Sequence, residues 1–319
     1  MTDRQLTRRR ALKITGTSAL LGLAGCMGLG DGTGEETATT SKGSPSSPAT
    51  TANTSTGTAT SEEGTTDATG SVDLEGPRHG DDLPADTTPD DGYPPEFQTV
   101  PQGLDVDPTS FDTLQRGDYE IRLVPTDVAY YWYARGEARF ADARSQTEFD
   151  ASHVFGSVLS PAGDGKDLPD DPALQWPEDD RIITYCDCPH HLSSLRAASL
   201  KSRGYQEVYA LDEGFSAWRE NQFPMAGSDV GRAPAVRVVD GVVPERHAGE
   251  TAWAYHTDSN QREATQIGAD GSYELHLKFY EVDRQSTVRI ETPAYTVTAT
   301  LAELTGGTIA RDGSISAQS

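Results

Sequence analysis

Residues 183–194 read ITYCDCPHHLSS. An apolar run ends at Tyr185, two cysteines follow one residue apart, and a helical pattern opens at Leu192, Ser193 and Ser194. RIITYC (181–186) has the unbroken apolar character of a strand buried on both faces. LSSLRAASLKSRGY sets Leu192, Leu195 and Leu200 on one helical face and stops at Gly204. The stretch thus predicts a strand, a tight loop holding Cys186 and Cys188, and a helix. Outward from it, YEIRLV (119–124), RFADAR (139–144) and EVYAL (207–211) read as further strands. TDVAYYWYARG, with Thr126 as its N-cap, and GFSAW read as helices. Strands alternating with helices predict an α/β fold, a parallel sheet covered on both faces.

A cysteine on a strand-to-helix turn faces free backbone N–H groups and the positive end of the helix dipole. Both favour a thiolate, and a thiolate is a nucleophile. A disulfide between Cys186 and Cys188 would close a small strained ring and add little stability. A copper or zinc site is the other rival, since Cys186, Cys188, His190 and His191 lie within six residues. Structural zinc sites usually draw ligands from two separated segments, so the expectation is no resident metal and no cofactor.

From about Arg232 the hydrophobic period changes to two. AVRVVDGVV, TAWAYH, SYELHLKF and TVRIETPAYTVTA alternate apolar with polar residues, and GADGSY (268–273) carries a hairpin-type turn at Asp270-Gly271. With no helical pattern in sight, residues 232–310 are expected to form a small antiparallel β-sandwich of independent stability and no catalytic part. The spacing of Gly241 and Val243 ahead of Asp270-Gly271 and Tyr273 is similar to that of carboxypeptidase-regulatory modules on surface proteins.

The 319 residues carry a formal net charge of −24, and lysine contributes only five of the 26 basic residues. Such a balance repels phosphates and argues against a nucleic-acid partner. It suits a halophilic protein, whose carboxylates are screened by concentrated salt. Residues 26–92 are Thr, Ser, Gly, Ala, Pro and acid, and read as an extended stalk. Asn53-Thr54-Ser55 within it is a glycosylation sequon. Residues 1–25, with Arg8-Arg9, Leu12-Lys13 and a short apolar run, resemble a twin-arginine export signal. Leu23-Ala24-Gly25-Cys26 resembles a lipobox, which implies lipidation of Cys26 and a membrane anchor on the outer face of the cell.

The α/β region, residues 93–228 with its core at about 115–226, resembles the rhodanese family. Asp142-Ala143-Arg144 matches the family's Asp-x-Arg, and Glu148-Phe149 with His153 to Ser157 matches the segment after it. Tyr185-Cys186, then Ser194, Ala197-Ala198, Leu200 and Gly204-Tyr205, match the catalytic loop and its helix. Val208, Leu211, Gly214 and Trp218 match the closing segment.

The resemblance implies a sulfurtransferase that carries sulfane sulfur as a cysteine persulfide. Its partners would be a small sulfur donor and a thiol or cyanide acceptor; it names no protein partner. It further implies a substrate loop of Asp187, Pro189, His190, His191, Leu192, Ser193 and Ser194. Asp142, Arg144 and His153 would shape the pocket, chiefly by holding loops. Counting from the strand selects Cys186 as the nucleophile; counting back from the helix selects Cys188. Strand register is the harder constraint, since it sets where the chain leaves the sheet, and leaves Cys188 as a resolving thiol. The loop lacks the family's arginine, so His190 and His191 are the local sources of positive charge. Glu213 stands where the first glycine of the closing pair is usual. The alternatives are a non-catalytic rhodanese-like binding module or a Cys/His metal-binding surface protein.

Overall fold

The computed structural model describes residues 91–94, 97, 101–163 and 170–317. The export signal, Cys26, Asn53 and nearly all of the proposed stalk lie outside the described residues. Among the described residues, no helix is long and apolar enough to cross a membrane.

The first region is built on a six-stranded sheet. Its strands are β1 (Thr113–Arg116), β2 (Tyr119–Val124), β3 (Arg139–Asp142), β5 (Val158–Leu159), β6 (Ile182–Tyr185) and β7 (Val208–Leu211). The two-residue β4 (His153–Val154) stands apart and pairs with β8 (Met225–Ala226). The sheet order is β1-β2-β7-β6-β3-β5, parallel throughout except for the β1–β2 pair.

Helices α1 (Thr126–Ala134), α2 (Gln146–Ala151), α3 (Leu192–Lys201) and α4 (Gly214–Glu220) complete the region. Ile183, Tyr185, Tyr209 and Leu211 pack with Trp132 and Tyr133 of α1 and Phe215 and Trp218 of α4. Ile182, Val208 and Ala210, pointing the other way, pack with Ala197 and Leu200 of α3. Alternate residues of one strand thus feed two cores, which is why these strands read as solid apolar runs.

Local departures from the sequence reading have physical causes. Pro125, not Thr126, caps α1. The Thr126 N–H and hydroxyl donate instead to Glu213 Oε2, at 2.9 and 2.6 Å, so the acid in place of the usual glycine ties α1 to the entry of α4. β3 ends at Asp142 rather than Arg144, because the Arg144 guanidinium folds back onto the Asp142 carboxylate at 2.6 Å.

The second region holds two four-stranded sheets around one core. One is β11-β10-β13-β14, from β10 (Thr251–His256), β11 (Gln261–Gln266), β13 (Thr287–Glu291) and β14 (Thr296–Thr300). The other is β12-β9-β15-β16, from β9 (Arg237–Val242), β12 (Ser272–Leu277), β15 (Gly307–Ile309) and β16 (Ile315–Ala317). Val239, Leu275 and Ile309 of one sheet meet Ala252, Ala254, Val288 and Ile290 of the other.

Two expectations fail in this region, and the antiparallel sandwich holds save for one strand pair. The Asp270-Gly271 turn does not close a hairpin: β11 and β12 belong to different sheets, and β12 pairs with β9. The Asp270 carboxylate takes the Ser272 N–H and hydroxyl, at 3.0 and 2.6 Å, and turns the chain across the sandwich. A helix is present, α5 (Leu301–Thr305), opened by a Thr300/Glu303 capping box too short to show as a period. It carries the chain from β14 to β15, which joins β9 in parallel, so the region is not wholly antiparallel.

The glycine and tyrosine noted in the sequence are cross-strand partners. Gly241 lies opposite Tyr273, and a Cβ there would stand 2.2 Å from the tyrosine ring. Glycine gives the ring its place over the strand, and the Tyr273 hydroxyl meets that of Tyr295 at 2.7 Å.

Candidate functional site

Cys186 follows the last residue of β6, where the buried sheet delivers its C-terminal ends to one edge. Tyr185, directly before it, is locked in place: its hydroxyl accepts the Val154 N–H at 3.1 Å and meets Ser157 Oγ at 2.7 Å. The Cys186 thiol is completely buried. It donates to the Cys188 carbonyl at 3.0 Å, and its sulfur accepts the Ser193 N–H at 3.4 Å from the first turn of α3. Ser193 Oγ stands 3.4 Å away, and the Cys186 carbonyl takes the Phe215 N–H at 2.8 Å. Cys188 also lies in the loop, but its thiol turns the other way, toward the His276 carbonyl of β12 at 3.5 Å.

The remaining loop residues divide by role. The carbonyl of Asp187 accepts from Ser216 Oγ and from Lys278 Nζ, both at 3.0 Å. Pro189 is exposed. His190 sits at a φ of +49° and turns its Nε2 to Asp212 Oδ1 at 2.7 Å. His191 Nδ1 lies 3.6 Å from Glu263 Oε1. Leu192 is buried with Cys186, Ala143, Ala162 and Ala264. The Ser194 hydroxyl bonds the His190 and His191 carbonyls and accepts Arg116 Nε at 2.6 Å. Both histidines therefore face carboxylates rather than an open anion pocket.

Asp142 and Arg144 form a fully buried pair behind the loop. Arg144 also donates to the Ser152 carbonyl at 2.6 Å and lies 4.5 Å over the Phe215 ring. His153 stacks on Phe149 at 3.8 Å and bonds the Phe149 carbonyl through Nδ1, holding a turn.

The expected thiolate is not what this arrangement favours. Burial is the largest influence and pushes the Cys186 thiol up to about 12; the Glu263 carboxylate adds to it, and the Ser193 and Leu192 donors oppose it. Burial raises Cys188 further, again with Glu263 adding. The cover comes from the β-rich region. Ala264 and Trp253 pack on the Cys186 cluster, and Lys278 clasps Asp187. The β-region is thus no bystander, and both regions belong to one compact unit.

Three site residues escaped the sequence reading. Arg116, on the antiparallel β1, restores a guanidinium to the loop from outside it, reaching the His190 carbonyl at 3.4 Å. Glu263 lies on β11, a stretch the sequence reading did not pick out, and Lys278 directly follows β12. Glu263 and Ala264 are consecutive buried residues of QREATQ, a mostly polar stretch with no periodic signal. Gly214, matched in the closing segment, has a φ of +74°, and a Cβ there would stand 2.9 Å from the Cys188 carbonyl oxygen.

Comparison with known proteins places this arrangement. Residues 127–221 match the rhodanese-like domain. Thiosulfate sulfurtransferase GlpE of Stutzerimonas stutzeri is 34% identical over 101 residues, covering 31% of this chain and 86% of that protein. Among solved structures, the rhodanese-like domain of an Anabaena sp. protein is 22% identical, over 35% of this chain and 84% of that one, with a TM-score of 0.31. A Bacillus halodurans protein is 19% identical, over 34% and 77%, with a TM-score of 0.30. The chain belongs to the rhodanese-like family, through a sulfurtransferase-like domain that occupies about its middle third.

Proposed function

We propose that the chain is a sulfurtransferase that carries sulfane sulfur on Cys186, held at the outer face of the cell membrane by a lipid on Cys26. The observation that carries this reading is the Ser193 N–H aimed at the Cys186 sulfur from the start of α3. Among the described residues, no backbone N–H donates to the Cys188 sulfur. That asymmetry favours Cys186, as strand register does.

The likeness to a thiosulfate sulfurtransferase supplies the donor class, an anion with a terminal sulfane sulfur. The Cys186 thiol first loses its proton, which requires solvent to reach the buried sulfur. Its thiolate then attacks the outer sulfur of thiosulfate; the S–S bond breaks and sulfite leaves with the electron pair. Cys186 now holds a persulfide. A thiol or cyanide attacks the terminal sulfur and regenerates the thiolate, giving a new persulfide or thiocyanate. Cys188 is the alternative acceptor: attack on the inner sulfur yields a Cys186–Cys188 disulfide and releases hydrosulfide. Arg116 and Lys278 offer positive charge to the anionic donor in place of a loop arginine.

To test this, the metal-free full chain is incubated with thiosulfate or polysulfide in concentrated KCl, the medium its charge calls for. Peptide mass spectrometry then locates a gain of one sulfur atom. The adduct is expected in the parent and in Cys188→Ser and absent in Cys186→Ser; loss only in Cys188→Ser moves the role to Cys188. Mass analysis of the mature N-terminus checks the anchor, and an unlipidated N-terminus other than Cys26 refutes it.

A second reading has one observation in its favour. Cys186 and Cys188 are 0% and 1% exposed, as in a rhodanese-like module kept for binding a partner. Absence of any adduct at every salt concentration would select it.

A further inference from the structure

The closed contact between the loop and the β-region assembles something neither segment holds alone. Cys188 Sγ, a His191 ring nitrogen and a Glu263 carboxylate oxygen all lie within 4.8 Å of one another. We propose that these three side chains are a zinc site. It differs from the cluster the sequence pointed to, since it leaves out Cys186 and His190 and takes its third ligand from β11.

Geometry comes first. Zinc bonds of 2.0–2.3 Å in a tetrahedron set ligand atoms roughly 3.3–3.8 Å apart. His191 Nδ1 and Glu263 Oε1 already stand at 3.6 Å. Separations of at most 4.8 Å close to that edge with about 1 Å of side-chain movement.

Chemical state points the same way. His191 Nδ1 is buried and has no hydrogen-bond partner. A buried imidazole nitrogen without a partner is costly unless something engages it. Glu263 is 4% exposed, and its Oε1 takes the Ala264 N–H at 2.8 Å. A buried carboxylate beside a thiol leaves negative charge that a dication balances. On binding, Cys188 releases its proton to solvent, so the thiolate and carboxylate together neutralise Zn²⁺ while imidazole stays neutral.

The donor set selects the metal. One thiolate, one imidazole and one carboxylate form a mixed borderline set, which suits zinc better than calcium or magnesium, which take oxygen, or copper(I), which takes sulfur. Ligands from two separated segments also remove the objection that the local Cys-x-Cys cluster raised. Three protein ligands leave a fourth position open. Of the three ligands, His191 lines a cavity of about 580 Å³ that it shares with His276, Tyr273, Glu274 and Thr308.

A consequence rests on the sulfur-transfer reading. Zinc would join the loop to β11, keep the cover shut over Cys186 and withdraw Cys188 as an acceptor. Zinc binding itself does not depend on that reading.

The test uses the full chain, stripped with a chelator and re-equilibrated with zinc chloride in concentrated KCl. Zinc per chain is measured after dialysis, and affinity by competition with a chromophoric chelator. About one zinc per chain is expected, with affinity falling about 100-fold or more in Cys188→Ser, His191→Ala and Glu263→Gln. Cys186→Ser and His190→Ala should keep the metal. Cobalt(II) provides a second readout, a thiolate charge-transfer band present in the parent and lost in Cys188→Ser. Circular dichroism confirms that each variant is folded. Failure of the folded parent to retain zinc overturns the site. So does loss in Cys186→Ser or His190→Ala with full retention in Glu263→Gln. Sulfur loading of Cys186 is scored on chelated protein, so each idea fails on its own result.

Discussion

Lys278 of the β-region grips Asp187 of the cysteine loop at two points, its Nζ lying 3.0 Å from the carbonyl oxygen and 3.2 Å from the carboxylate. It also donates to Ser216 Oγ at 2.8 Å, so one ammonium joins β12's end, the loop and α4. Both partners are largely buried, where such charge-assisted bonds are strongest.

Removing that ammonium should loosen the cover. Lys278→Met is expected to raise the iodoacetamide labelling rate of Cys186 about 10–100-fold, the range set by a buried charged hydrogen bond of about 1.5–3 kcal/mol. Timed labelling followed by peptide mass spectrometry reads the rate. An unchanged rate would mean the cover opens elsewhere.

Glu263 acts on the thiol by charge alone. In chelated Glu263→Gln the thiol should ionise below its present value of about 12, since a nearby negative charge has gone. The pH profile of alkylation should move to lower pH, without the pH-independent acceleration that loosening the cover would bring. A profile that stays in place refutes the coupling.

Gly214 should tolerate no side chain. Its φ of +74° and the 2.9 Å approach to the Cys188 carbonyl act together in Gly214→Ala. We expect a loss of about 1–3 kcal/mol in chemical denaturation. A change below about 0.5 kcal/mol would show that the loop yields freely.

Glu148 gives the fold a pH dependence. It is buried in the Ser145 capping box, and burial raises its carboxyl to about 8, against opposition from Arg144 and Ser145. A raised value means the folded state keeps a proton that the unfolded chain sheds near 4.5. Its stabilising contribution is therefore complete below pH 4.5 and lost as pH rises through 8. Glu148→Gln should flatten this fall, and by pH 8 exceed the parent by an amount on the order of 1–3 kcal/mol. Equal slopes of stability between pH 5 and 8 would count against it.

The central strands and α3 were legible because each residue pair along β6 feeds a core, leaving no polar gap in RIITYC. β1 was not, since TLQR is an edge strand with a single buried residue, Arg116. The cysteine loop could be located but its environment could not. Alternation in SYELHLKF separates an apolar face from a polar one, yet nothing in it says whether the polar face meets water or a neighbour. Here His276 and Lys278 meet the loop, and the thiolate expected from helix and backbone donors is overridden by burial that other segments impose. Asp270-Gly271 failed for a related reason: the turn chemistry is right, but the pairing of its strands is decided by long-range partners.

The clasp around Asp91 has a mechanical meaning. Arg139, the first residue of β3, binds both the carbonyl and the carboxylate of Asp91, Trp176 Nε1 donates to the same carboxylate, and the Gly92 carbonyl takes the Phe140 N–H. These contacts lie at the N-terminal end of the parallel strands, whereas Cys186 leaves their C-terminal end. A tug on the polypeptide from the N-terminal side is met by arginine, tryptophan and a strand end in shear. The end of the sheet that carries Cys186 stays out of that line of force.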